Sequence, residues 1–331
     1  MSNDIDIGFP SGMIGLLKPK GESSRTTLNR LQRAVRLWHR QRLDHVPTEA
    51  QQCKLPRVGH AGTLDPLAHG VLVACVGEAT KLVEFIQMLP KRYDGTFQLG
   101  VTSDTEDADG TITTLPNPPQ PTYGMLREAV SRFTGRIRQR PPAYSALKIA
   151  GKRAYQLARQ GEHVEPAVRE IDVYRIELTD YHYPVFRLAI ECGSGTYVRS
   201  LGRDIGEVIG SGAIMTALTR ESIGPFTLAD AVPPSTFDEG HLPDWCEHLL
   251  PLELGVAHLP QVVLDEKTMK RLLMGQAVRK DEIPEPTKTS EPLPTDDSRF
   301  CAAFSPQNQL VSLLELDAGQ YVKIKKNFTR G

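Results

Sequence analysis

The sequence is short of most features that would give a quick answer. Cysteine is scarce: Cys53, Cys75, Cys192, Cys246 and Cys301 are odd in number, scattered and never in a CxxC spacing. That pattern argues against a disulfide framework and a zinc site, and suits incidental thiols in a reducing cytoplasm. No apolar run approaches the roughly 18 residues that a membrane-spanning helix needs. The N-terminus, MSNDIDIGFPSG, lacks the basic region and apolar stretch of a secretory signal. Walker and dinucleotide-binding loops are missing, so nothing calls for a nucleoside triphosphate or NAD. His60 and His69 have no third residue at ligand spacing, so no metal is expected. Net charge is nearly absent too, at −1.

The charge that is present is segregated. Residues 131–160 carry eight basic side chains and no acid: Arg132, Arg136, Arg138, Arg140, Lys148, Lys152, Arg153 and Arg159. A second basic stretch holds Arg25, Arg30, Arg33, Arg36, Arg40 and Arg42, and Lys323, Lys325, Lys326 and Arg330 close the chain. Acid gathers in 281–297. Any one such run is usually a solvated face; three in a neutral protein point to a phosphate backbone, RNA or DNA.

A chain of 331 residues accommodates one large domain and a small one. Residues 1–12 read as disordered. Ser24 is placed to cap a helix through about residue 40, with Leu28, Leu31, Val35 and Trp38 at helical spacing. Val71–Val76 reads as a buried strand, 78–88 as a helix and 93–101 as an alternating strand followed by an acidic turn, 102–110. A short helix follows at 125–133. Strands are expected at 171–178, 185–192 and 214–223, with a helix at 196–209. Past Pro251 short β-leaning runs (261–264, 300–304, 310–316, 321–324) surround an exposed loop, 281–297. Strands and helices in irregular order predict an α+β fold.

Two segments could carry chemistry. In GHAGTLDPLAHG (59–70), Asp65 precedes Pro66, which biases it towards extended backbone. Gly59, Gly62 and Gly70 allow close approach, so a carboxylate is presented on a loop entering a strand. A plain Asp-Pro turn has the same pattern. In CGSGTYVRSLGRDIG (192–206), Thr196 is placed to cap a helix whose first turn holds Tyr197 and Arg199. Arg199 could pair with Asp65, lowering its pKa and keeping it ionised; the alternative is pairing with Asp204. Tyr93, in KRYDG, offers an aromatic face beside Lys91 and Arg92 that suits stacking on a flipped base, although a half-buried strand tyrosine fits as well.

Five segments, in order, resemble the TruB family of tRNA pseudouridine-55 synthases. They are GLLKPKGESS (15–24), VGHAGTLDPLAHGVLVACVGEATKL (58–82), KRYDGTFQLGVTSDTEDADG (91–110), RPPAYSALKIAGKRAYQLARQG (140–161) and GTYVRSLGRDIG (195–206). The resemblance implies a pseudouridine synthase fold at 13–250, built on a mixed, mainly antiparallel sheet. It also implies a small PUA-like RNA-binding β domain at 251–331. The loops at 41–57 and 281–297 are longer than the family's pattern.

By the same resemblance Asp65 is the nucleophile, Arg199 its partner and Tyr93 the residue that stacks on the extruded uracil. Attack at the ribose C1′ or at the base C6 stays open. The C5 proton is assigned to Tyr93, with Asp65 or water as alternatives. His60 fills the space left by the flipped base, Tyr197 and Lys148 line the cleft, and Lys81 holds RNA or the loop. Lys152 and Arg153 contact RNA. No cofactor is expected, because one glycosidic bond is exchanged for another within one molecule. The partner is the T-arm of tRNA, met by a cytoplasmic monomer with no obligatory protein partner and no membrane. The alternatives are a guide-RNA-dependent synthase of the dyskerin type, a non-catalytic RNA-binding protein, and a hydrolase using Asp65.

Overall fold

The computed structural model of the protein describes residues 9–43, 55–145, 148–149, 152–153, 166–238, 245–287, 299–316 and 319–328. From the N-terminus come β1 (Gly12–Lys18), α1 (Ser24–Leu43), β2 (Val58–His60) and β3 (His69–Val76). A 3₁₀ turn leads to α2 (Val83–Met88), β4 (Lys91–Leu99) and a small hairpin, β5 (Val101–Ser103) with β6 (Ile112–Thr114). After α3 (Tyr123–Ser131) lie β7 (Gly135–Gln139) and the two-residue strands β8 (Lys148–Ile149) and β9 (Lys152–Arg153). The hairpin of β10 (Arg169–His182) and β11 (Val185–Cys192) precedes α4 (Val198–Ile209), β12 (Ala213–Ile223) and β13 (Phe226–Thr227). The C-terminal part holds β14 (Gln261–Val263), α5 (Glu266–Leu273), β15 (Phe300–Phe304), β16 (Leu310–Glu315) and β17 (Lys323–Asn327).

The large sheet runs β1-β3-β12-β4-β11-β10-β7, with β2 beside β3 and β13 beside β12. Every pairing in it is antiparallel except β3 with β12. The fold is therefore α+β around a mixed, mainly antiparallel sheet, as the sequence predicts. A separate four-stranded sheet, β14-β15-β16-β17, forms the C-terminal unit.

Continuous apolar runs become strands covered on both faces. In β3, Val71, Val73 and Cys75 join Met13 and Phe85 in one core, while Leu72, Ala74 and Val76 join Ile14 and Leu16 under α1. α1 meets them with Leu28, Leu31 and Val35, so its 3.6-residue period is spent on that contact. α4 lies over the other half of the sheet: Val198, Leu201 and Ile205 pack with Phe97, Phe186 and Leu188. Phe97 and Phe186 stack with centroids 5.1 Å apart, a geometry worth about 0.5–1.5 kcal/mol beyond burial. The C-terminal sheet adds Phe300, Ala302, Phe304 and Leu313 to the core of Met13 and Phe85. Its other face has its own core of Val262, Leu272, Cys301 and Leu314.

Three local expectations change. The Ser23 hydroxyl, not Ser24's, accepts from the first turn of α1, at Thr26 N. Tyr197, not Thr196, sits at the N-cap of α4 and caps with no side-chain hydrogen bond; the Thr196 hydroxyl donates to Gly193 O instead. The segment 78–88 is a 3₁₀ turn followed by α2 rather than one helix. Of 1–12, only 9–12 are among the described residues, and Phe9 stacks on His39 at 5.0 Å.

α4 approaches the sheet closely at Gly206, where an added Cβ would lie 2.4 Å from Ala213 N. Gly206→Ala must push α4 off β12, at about 1–3 kcal/mol. Thermal unfolding is expected to show a Tm several degrees lower; an unchanged Tm would mean that this packing is looser than described.

Candidate active site

β3 and β12 share only two register pairs, Thr219↔His69 and Arg220↔Gly70. The two antiparallel halves of the sheet thus meet along a short parallel seam, and loop 59–70 enters β3 there. Gly70 makes the entry possible: its φ is +114°, and a Cβ would come within 2.3 Å of Arg220 O.

Three buried side chains hold the loop. Arg220, 2% exposed, donates from Nε to Val71 O at 2.7 Å and from Nη2 to Gly62 O at 3.0 Å. Lys18, fully buried, donates from Nζ to Ala68 O at 2.6 Å and to Pro66 O at 3.3 Å. Ser24, freed from capping, uses its hydroxyl twice on Leu64, donating to O at 2.9 Å and accepting from N at 2.8 Å. Two of the three come from the first family-like segment, far from the loop in sequence. Each partner is a backbone carbonyl or amide, so the loop's path is specified rather than any one of its side chains.

Asp65 stands at the turn of this loop, its side chain about one-third open to solvent (35%). Arg199 Nε lies 3.4 Å from Asp65 Oδ2, an ion pair without hydrogen-bond alignment. The rest of the guanidinium is fixed by Thr105 O (3.1 Å), Asp107 Oδ2 (3.4 Å) and Tyr144 O (2.8 Å). The expected partnership with Asp65 is present, and Asp204 pairs with Arg203 at 2.6 Å instead. Arg199 lowers the Asp65 pKa as expected, but burial outweighs it. Burial raises the Asp65 carboxyl above its ordinary value, with Arg199 and Lys18 pulling back and Asp107 adding to the rise. Burial in turn pushes Lys18 down to about 8, against the attraction of Asp65.

Tyr93 lies opposite Arg220 in the β4–β12 register and is 8% exposed, packed with Leu64, Leu67 and Ala68 of the loop. Burial raises its phenol pKa, while the charge of Arg220 and a hydrogen bond from it act the other way. Its basic neighbours do not flank it as the sequence suggests. Arg92 is on the opposite face with Glu191, at 3.3 Å, and Lys91 is buried, donating to Gln87 O.

The remaining residues divide. His60, half-buried on β2, is held towards the neutral form by burial and then by Arg220 and Arg25. Tyr197 begins α4, its backbone clasped by Gln139 at 2.9 and 3.0 Å, with Arg169 over its ring at 5.0 Å. The Lys81 ammonium binds Glu78 at 2.5 Å and Asn327 O at 2.7 Å. It ties the 3₁₀ turn to β17. Lys148, Lys152 and Arg153 lie on the β8–β9 pair, their side chains outside the described residues. The rest of the long loops, 44–54 and 288–297, lies outside them too.

The sequence reading missed Asp107 and Glu106. Both belong to the segment read only as an acidic turn. Asp107 is 3% exposed, and its carboxylate faces Arg199. Glu106, at φ +64°, binds Ser200 and Arg203. One turn of α4 thus reads both acids, and the i, i+4 spacing of Arg199 and Arg203 was the available signal.

A partly open carboxylate beside a clamped guanidinium and a tyrosine ring suits nucleophilic attack on a flat heterocyclic substrate. A sequence profile described as TruB family pseudouridylate synthase (N terminal domain) matches residues 50–198. The chain is similar to tRNA pseudouridine synthase B of Dehalococcoides mccartyi (strain CBDB1), 39% identical over 263 residues, covering 78% of this chain and 83% of that protein. It is likewise similar to tRNA pseudouridine synthase B of Xanthomonas campestris pv. campestris (strain 8004), 40% identical over 278 residues, covering 83% and 84%. In fold it resembles a chain from the crystal structure of a Cbf5-Nop10-Gar1 complex, with a TM-score of 0.69, 22% identity, and coverage of 98% and 87%.

If burial outweighs Arg199, the Asp65 carboxyl followed by ¹³C NMR should titrate above an ordinary aspartate, and in Arg199→Met higher still. A pKa unmoved by Arg199→Met would contradict the pairing.

Proposed function

The chain belongs to the TruB family of pseudouridylate synthases, and we propose that it isomerises uridine 55 in the T-loop of tRNA, with Asp65 as nucleophile. The observation that carries this reading is the seat of Asp65. The loop bearing it is pinned by Lys18, Ser24 and Arg220, while Arg199 faces its carboxylate.

The T-loop docks and the target uridine turns out of its stack, at a cost of a few kcal/mol that is least in a loop. His60, neutral and half-buried, takes part of the vacated space. Tyr93 stacks on the uracil, a contact worth about 1–3 kcal/mol. Tyr93 is buried in the core that also holds Leu64, Leu67 and Ala68, so the base must reach the ring at its small exposed part. Asp65 attacks, the glycosidic N1–C1′ bond breaks, and the base turns while held. C5 then bonds to C1′, the bond to Asp65 breaks and frees its carboxylate, and the C5 proton leaves by way of the Tyr93 hydroxyl, which Arg220 backs, while N1 takes up a proton. No atom enters or leaves overall. Arg199 and Lys18 favour the anionic Asp65 that attack requires, against the burial that opposes it.

We further infer that the β7 edge and the segment after it hold RNA. Arg136, Arg138 and Arg140 alternate with buried Gln139 and so share one exposed face, and Lys148, Lys152 and Arg153 follow. The β14–β17 unit, from about Pro251 onwards, is taken as a PUA-like RNA-binding domain beside a catalytic domain at 13–250. Buried free thiols at Cys75, Cys192 and Cys301 suit a cytoplasmic enzyme that acts as a single chain.

Asp65→Asn is expected to form no pseudouridine in T-arm RNA, read by nucleoside chromatography, while retaining near wild-type affinity. Product above a few per cent of wild type would overturn the role given to Asp65.

A further inference from the structure

The exposed face of α1 has no part in the chemistry above. Arg25, Arg36 and Arg40 are eleven and four residues apart, close to whole numbers of helical turns, so they share one face. All three are exposed. Asn29, Gln32 and Arg33 fall between them on that face, and the helix contains no acidic residue. Among the described residues no ion pair engages Arg25, Arg36 or Arg40, whereas Arg30, on another face, is held by Glu22 at 2.8 Å and Asp238 at 3.4 Å.

This arrangement is costly for an isolated helix. Arginine in the first turn opposes the macrodipole, and like charges three and four apart repel by a few tenths of a kcal/mol each. An anionic partner would relieve both. The face runs about 22 Å from Arg25 to Arg40, at 1.5 Å per residue, which is too long for a single phosphate. Its near end is at the site, since Ser24, the neighbour of Arg25, holds Leu64 of the loop that carries Asp65. Farther along, Arg36 and Arg57 both line a hollow of about 640 Å³ whose lining also includes Gln32, Thr80 and His60. α1 lies against β1 and β3, at the opposite end of the strand order from β7.

We infer that the Arg25–Arg36–Arg40 face of α1, with Arg57 beside it, is a track for the phosphates of the double-helical stem that carries the target loop. The inference rests on the RNA substrate proposed above and adds a second contact surface across the sheet from the β7 segment. Recognition would then require a stem, because a polyanion of matching length must extend from the site.

The test is Arg36→Ala/Arg40→Ala, two exposed positions whose replacement keeps helix propensity high, with folding checked by circular dichroism. Binding is measured by filter retention over a range of KCl concentrations, using a T-arm stem–loop and a linear oligonucleotide of the loop sequence. Expected is a stem–loop Kd weakened about tenfold near 0.1 M salt, with the salt slope shallower by about 1.8 for two lost phosphate contacts. The linear RNA should be unaffected. An unchanged Kd and slope for the stem–loop, or an equal loss for the linear RNA, would overturn the inference. A wild type that binds the stem–loop but forms no pseudouridine would instead overturn the functional reading, and the binding comparison would still stand.

Discussion

The structure depends on how two buried cations are neutralised. Lys18 and Arg220 are both withdrawn from water, and the hydrogen bonds found for them go chiefly to backbone carbonyls of loop 59–71. Leaving such charges without partners would cost several kcal/mol each. The loop must therefore bring its carbonyls to them, and that requirement fixes where Asp65 stands. Ser24 adds a neutral clamp on Leu64, one residue before the aspartate. The carboxylate is positioned by its loop's backbone, and Arg199 is then required only to face it.

The seam between β3 and β12 explains why these groups converge. Parallel pairing lasts two residues, which leaves room for the loop to enter and sets Arg220 beside Gly70. β4 then sets Tyr93 opposite Arg220. α4, packed across β4 and β11, delivers Arg199 from above the same seam and anchors itself on Glu106 and Asp107. Four chain segments contribute one side chain each. None of them is adjacent in sequence, and the charges oppose one another: burial lifts the Asp65 pKa while Arg199 and Lys18 restrain it.

Much of the fold was legible because its elements obey simple periods. The apolar stripe of α1 and the run Val71–Val76 were readable directly, and the alternation of β4 gave the strand though not the exposure of its tyrosine. How far Tyr93 is buried depends on tertiary packing, which gathers it with Leu64, Leu67 and Ala68 in one core. Caps were misplaced at Ser24 and Thr196 because hydroxyls have competing partners, and only tertiary contact shows that Ser24 serves Leu64. The Asp65–Arg199 pairing was available by resemblance. Its net electrostatics were not, since desolvation is a property of the assembled cleft. The link from Lys81 to Asn327, distant in sequence, was not legible either.

The most direct measurement of this dependence is tritium release from T-arm RNA labelled at uridine C5 by Arg220→Lys, with RNA affinity followed in parallel. Lysine retains the charge at the seam but lacks the fork that reaches the carbonyls of Gly62 and Val71 together. Expected is a release rate reduced to a small fraction of wild type, with affinity and cooperative unfolding largely retained. Release at the wild-type rate would mean that Asp65 is positioned without the buried guanidinium, and would contradict the role given to the loop's carbonyls.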